Sequence, residues 1–188
     1  MYWKSSVNLD TEQLTLLNNV AEQYSWTSEP YEPNILIQFP DVLKKISVLL
    51  DEYLKEKSKI FKKTLVMSWL MNQREGTNMG MLPHRHAYAS LSFVFYTMSN
   101  GDNPLIVRDG NDIEYEIESK TNDFIILSSD LIHFPKNGGP LKEARISYAG
   151  DILLTQLNYE NSNSLSPKEV WHDTVSYTHL TLPTIVDV

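Results

Sequence analysis

The sequence predicts a mainly β domain with a layer of helices at its N-terminus, and three observations predict it. From Thr64 onward, six short segments rich in Val, Ile, Phe, Tyr and Thr alternate with clusters of turn residues, which is the composition and punctuation of strands. Before them lie two stretches whose apolar residues recur at helical spacing. The length of 188 residues with 41% hydrophobic content suits one domain with a sizeable core.

In chain order, the first helix follows Asp10, with Gln13 three residues later in a capping-box arrangement. Leu14, Leu17, Ala21 and Tyr24 form its apolar stripe. The Pro-punctuated connector "TSEPYEPNILIQFP" leads to a second helix starting near Pro40 and Asp41, a favourable opening for a helix. Its core face is Val42, Leu43, Ile46, Leu49, Leu50, Tyr53 and Leu54. The lysine-rich "KEKSKIFKK" reads as the solvated end of that helix.

The expected strands are "TLVMSWLMN", "YASLSFVFYTM", "NPLIVRD", "DIEYEIES", "NDFIILSS" and "ARISYAGDILLTQL". "DIEYEIES" alternates strictly, which predicts one face in water. Six strands at this spacing predict a sandwich or barrel with the helices packed on one sheet. The expected organisation is a helical layer over 1–60, a β core over 61–160 and a polar tail over 161–174. The stretch Val175 to Val188, "VSYTHLTLPTIVDV", resembles the peptide given by a translated sequencing adapter and is excluded from the expected fold.

Charge and composition narrow the function classes. A net charge of −8 argues against a nucleic-acid surface, which needs clustered Lys and Arg. No apolar run approaches the roughly 20 residues of a membrane span, and "MYWKSSVNLD" lacks the apolar centre of a signal peptide. The absence of cysteine removes disulfides, thiolate metal sites and cysteine nucleophiles. The expectation is a soluble cytoplasmic protein of unspecified oligomeric state that meets neither nucleic acid nor membrane. Phosphate-loop and Ser-His-Asp readings lack their motifs.

The histidines carry the chemistry. His84 and His86 project to one side if "PHRHAY" is extended, because residues two apart share a strand face. His133 lies after another strand, whereas His172 is in the polar tail and His179 in the excluded stretch. Three imidazoles suit Fe, Zn, Cu or Ni rather than Mg or Ca, and an arrangement with open positions is that of the facial triad of non-haem iron oxygenases. Arg145, twelve residues after His133, shares a strand face with Ser147. A guanidinium beside a hydroxyl suits a carboxylate, so metal and arginine together suggest a small dicarboxylate between them.

"HRH", "LIHFP" and "RIS" stand in the order and at the spacing of the 2-oxoglutarate- and Fe(II)-dependent dioxygenases, and the chain resembles their prolyl-hydroxylase-like branch. "SWLMNQREGTNMGMLPHRHAYASLSFVFYT" is similar to a bacterial and phage group of these oxygenases, and "NDFIILSSDLIHFP" resembles the strand before their distal histidine. The likeness covers about Ser68 to Asp151. It implies a double-stranded β-helix, or jelly roll, related to the cupins. It implies His84 and His133 as iron ligands, and Arg145 with Ser147 as the anchor of 2-oxoglutarate. Tyr96 and Asn72 would line the same pocket. The cofactors implied are Fe(II), 2-oxoglutarate as cosubstrate and O2, with ascorbate admitted as reductant. The products would be succinate and a hydroxylated small molecule or peptide side chain.

The departure from the family pattern is His86, which stands where the carboxylate ligand belongs. Either it ligates metal and makes a three-histidine site, or water fills the position, or a carboxylate arrives from elsewhere, Asp102 and Asp109 being nearest. Two other readings compete. A cupin binding metal without 2-oxoglutarate would add a glutamate shortly after His-x-His, and "HRHAYASLSF" has none. A non-catalytic jelly-roll module would need neither metal nor Arg145. Trp69, Phe93 and Phe95 read as core.

Overall fold

A computed structural model describes residues 2–24, 34–55, 61–76, 82–136 and 141–156. His172, His179, the Gly138-Gly139-Pro140 turn and the adapter-like stretch lie outside the described residues. Among the described residues, eight strands form two antiparallel sheets. They are β1 (Tyr2–Ser6), β2 (Phe61–Gln73), β3 (Leu91–Met98), β4 (Leu105–Arg108), β5 (Glu114–Ile117), β6 (Asp123–Ser128), β7 (Ile132–Pro135) and β8 (Arg145–Gln156). The large sheet runs β1-β6-β3-β8-β2 and the small one β5-β4-β7. His84 adds an isolated bridge to His133 at the free edge of β7. The two sheets face each other as a double-stranded β-helix.

The helices are α1 (Thr11–Glu22) and α2 (Pro40–Leu54), preceded by a 3-10 turn over Ile35–Gln38. The α1 start has the expected capping box: the Asp10 carboxylate accepts from the Gln13 N–H, and the Gln13 side chain accepts from the Asp10 N–H. Such a cap contributes about 1 kcal/mol. Both helices cover the outer face of the large sheet. Leu17, Ala21, Ile46 and Leu50 meet Phe93, Phe95, Phe124, Tyr148 and Ile152 in the principal core. Polar contacts fix the layer as well. The Tyr148 hydroxyl donates to the Leu17 carbonyl at 2.7 Å, and the Ser68 hydroxyl accepts from the Leu36 N–H at 3.0 Å. Burial pushes the Tyr148 hydroxyl well above its ordinary range, so it remains a donor. Lys63 of β2 is buried against Ser47 and Asp51 of α2. Gly150 leaves room for the Phe93 ring, since a Cβ there would lie 2.7 Å from Phe93 Cζ.

A second, smaller core lies between the sheets, with Leu105, Val107, Ile117, Ile125, Leu127, Leu131 and Tyr96. It fills one end of the space and leaves the other open.

Three features differ from the sequence expectation. The first 60 residues are not helical throughout: Tyr2–Ser6 forms an edge strand antiparallel to β6, pairing Tyr2 with Leu127 and Ser6 with Asp123. Nothing local in "YWKSS" announces a partner about 120 residues away. His133 lies within its own four-residue strand rather than after one. The alternation in β5 buries only Ile117, while Tyr115 is 41% exposed. Being an edge strand, β5 runs past the cover of the opposing sheet, and the Tyr115 ring meets Tyr2 at the surface instead.

Candidate metal centre

Strand β8 sorts its side chains by parity. Ile146, Tyr148 and Ile152 face the helices, and Arg145, Ser147, Ala149 and Asp151 face the space between the sheets. The neighbouring strands keep this register: Tyr96 and Met71 both stand opposite Ser147, and Trp69 stands opposite Ala149. The resulting cleft holds a cavity of about 70 Å3. It is walled mainly by apolar groups, with His84, His86, His133, Arg145 and Ser147 as its principal polar members.

The three histidines come together at this cleft. One ring nitrogen from each lies within 4.8 Å of the others. Two of them are held by backbone pairing, since the His84 and His133 peptides exchange hydrogen bonds of 3.2 and 2.9 Å. The Nδ1 atom of each histidine is engaged with an acceptor. His84 Nδ1 donates to the Leu82 carbonyl at 2.9 Å and His133 Nδ1 to the Leu131 carbonyl at 3.2 Å. His86 Nδ1 donates to Asp151 at 2.9 Å. A neutral imidazole that donates from Nδ1 offers a lone pair at Nε2, so all three present acceptor nitrogens. His86 Nε2 is buried and has no hydrogen-bond partner. Burial and the neighbouring His84 push the His133 pKa down to about 4, which keeps this ring neutral at physiological pH. Trp69 stacks on His86 at a centroid distance of 5.3 Å and an interplanar angle of 6°.

An orphaned buried nitrogen needs a partner, and three convergent imidazole nitrogens form a donor set that fits a borderline divalent metal such as Fe(II).

Arg145 is buried in the same cleft. Its guanidinium donates to the Tyr96 hydroxyl at 3.0 Å and lies 4.8 Å from the Tyr96 ring centroid. Among the described residues it is the one cation lining the cleft. Ser147, two residues on, faces the same way.

Asn72 is a correction. It stands opposite Ile146 on the helical face of β2, and its amide donates to the Ala21 carbonyl at 2.7 Å. Strand parity sends it away from the cleft while Met71 and Gln73 face in. Asp102 and Asp109 are also placed elsewhere. Asp102 accepts from the Asn100 amide, and Asp109 accepts the N–H groups of Asn111 and Ile113 in a turn. Trp69, expected in the core, lines the cleft instead.

The sequence reading passed over Asp151. It is fully buried, and its carboxylate accepts from Tyr88 and Ser92 at 2.6 Å each as well as from His86. Burial alone would raise its pKa, but the three hydrogen bonds outweigh burial and hold the carboxyl below its ordinary range. The signal was its position six residues after Arg145, hence the same face of β8.

No protein-family model and no curated protein sequence matches the chain. Solved structures do. An oxidoreductase of the 2OG-Fe(II) oxygenase family from Burkholderia pseudomallei aligns over 81% of this chain and 84% of its own, with TM-score 0.56 and 11% identity. A prolyl-4-hydroxylase from Pseudomonas putida aligns over 81% and 86%, with TM-score 0.53 and 13% identity. A viral collagen prolyl hydroxylase from Paramecium Bursaria Chlorella virus-1, solved as a 2OG complex, aligns over 80% and 94%, with TM-score 0.53 and 13% identity. The chain has the double-stranded β-helix fold of the 2OG-Fe(II) oxygenases.

Proposed function

We propose that this protein is a non-haem Fe(II) dioxygenase that oxidatively decarboxylates 2-oxoglutarate to succinate and hydroxylates a small molecule or a peptide side chain. The observation that carries the reading is the convergence of three imidazole nitrogens and one buried arginine on a single cleft. His84, His86 and His133 would hold the iron. Bound there, Fe(II) would supply the redox chemistry with O2 that the side chains lack.

The rest is the work of this chain's residues. Arg145 would take the far carboxylate of 2-oxoglutarate through paired N–H donors, with the Ser147 hydroxyl adding a further bond. Tyr96 holds the guanidinium in place by accepting from it and lying beneath it. The apolar walls, with Trp69 against His86, keep water from the reacting centre and strengthen the Arg145–carboxylate attraction.

One observation favours a second reading. Three imidazoles can hold a metal with no help from Arg145, so the site could act without 2-oxoglutarate even though the glutamate of a cupin is lacking. Anaerobic titration with Fe(II) and then 2-oxoglutarate separates the two. The dioxygenase reading expects a weak visible charge-transfer band that Arg145→Ala removes while iron still binds. Iron binding without any band selects the cupin-type site. A chain that binds no iron is left as a jelly-roll module.

A further inference from the structure

Among the described residues, Asp151 is a fully buried carboxylate on the cleft side of β8. All three of its neighbours are donors: Ser92 Oγ on one oxygen, and Tyr88 Oη and His86 Nδ1 on the other. A carboxyl that only accepts is an anion. Among the described residues its ion-pair partner is His86, with no Lys or Arg against it. A buried negative charge without a cation is costly unless something nearby compensates it. The compensating position is on the far side of the His86 ring, where the buried, unpartnered Nε2 faces His84 and His133.

We propose that Asp151 is the positioning residue of the metal centre: it replaces the missing carboxylate ligand by acting one ring away, through His86. The inference rests on the metal-binding reading above. The electrostatic logic is simple. Three neutral imidazoles leave a divalent ion with its full charge, whereas two imidazoles and a carboxylate reduce it by one. Asp151 restores that balance from behind the ligand. It also fixes the ring, since donation from Nδ1 leaves only Nε2 for the metal, and it raises the basicity of that nitrogen. Ser92 and Tyr88 hold the carboxylate itself, and each comes from a different segment around the site. This accounts for a His-x-His where a carboxylate ligand would otherwise stand. The negative charge has moved from the HRH segment to β8.

The test uses the full chain and anaerobic titration with Co(II) as the probe. Asp151→Asn keeps the shape and one acceptor while removing the charge, and it should weaken Co(II) binding by about 10- to 100-fold. In a His86→Ala background, which binds Co(II) more weakly than wild type, the same change should alter affinity less than about 2-fold, because the route through His86 is gone. Equal affinity for wild type and Asp151→Asn overturns the proposal, and so does an undiminished effect in the His86→Ala background. If wild type itself binds no Co(II) or Fe(II), the metal reading fails and this inference falls with it. Should Asp151→Asn not fold, nitrogen-15 spectra of metal-free wild type decide. His86 protonated on Nδ1 supports the assignment, and His86 protonated on Nε2 overturns it.

Discussion

The two faces of strand β8 are built from alternate residues of one short sequence and serve opposite ends. Outward, Ile146, Tyr148 and Ile152 meet two helices in a close-packed apolar layer. Inward, Arg145, Ser147 and Asp151 are polar and buried, and they border an unfilled cleft. The outer face gains stability from every methylene it covers. The inner face pays desolvation for charged groups and leaves space open. The difference teaches that a one-residue step along the strand separates what holds the protein together from what could act.

The strongest way to break this comparison is a matched pair of truncations. Phe95→Ala on the outer face should cost about 3–5 kcal/mol in denaturant unfolding, with the Co(II) affinity of the folded protein unchanged. His84→Ala should do the reverse, abolishing tight Co(II) binding while moving chelator-treated stability by less than about 1 kcal/mol. Should Phe95→Ala weaken Co(II) binding in the folded state, the two faces are not independent.

Acid should sharpen the contrast. Metal-free His133 takes a proton only near pH 4 in the folded chain, whereas an unfolded histidine does so near pH 6.5. Between these values the unfolded state binds more protons, so stability falls as pH drops from about 6.5 to 4 and then levels for this group. The loss expected is about 3 kcal/mol, and His133→Ala should flatten that part of the curve. Below the ordinary carboxylate range Asp151 adds its own loss, because its folded pKa is depressed.

Asn72→Ala sits on the outer face and removes an amide that donates to the Ala21 and Tyr24 carbonyls at the end of α1. It should cost about 1–2 kcal/mol of stability and leave Co(II) binding and any 2-oxoglutarate band intact. A loss of the band would return Asn72 to the cleft. The smallest effect belongs to Tyr88→Phe. Removing one of three donors to Asp151 at a half-exposed ring should cost about 0.5–1 kcal/mol, with metal affinity within about 3-fold of wild type.

What the sequence made legible follows from parity. Capping at Asp10 and the apolar stripes placed both helices, because those signals are local. His84, His86, Arg145 and Ser147 could be read together because two-residue spacing assigns them to shared faces. Asn72 failed for the same reason: a polar residue in β2 does not say which face is inward until the partner strand sets the register. Asp151 lay within the expected strand "ARISYAGDILLTQL", which β8 matches through to Gln156, but a lone carboxylate on a strand does not announce a histidine partner from a distant segment. Strand β1 was illegible because its partner is remote and its composition is polar.

Sheet order also governs how the chain can fold as it is made. Among the described residues, strand β1 pairs only with β6, and β2 pairs only with β8. Both early strands therefore emerge with no partner and wait for residues 123–128 and 145–156. At a synthesis rate of about 5–20 residues per second, β2 stays open for several seconds with its apolar face uncovered. Such long-range closure is slow and exposes strand edges to other chains. The last of the described strands is also the one that carries Arg145 and Asp151. A nascent chain therefore has no complete site until its sheet is closed, so cleft and fold arrive in one step.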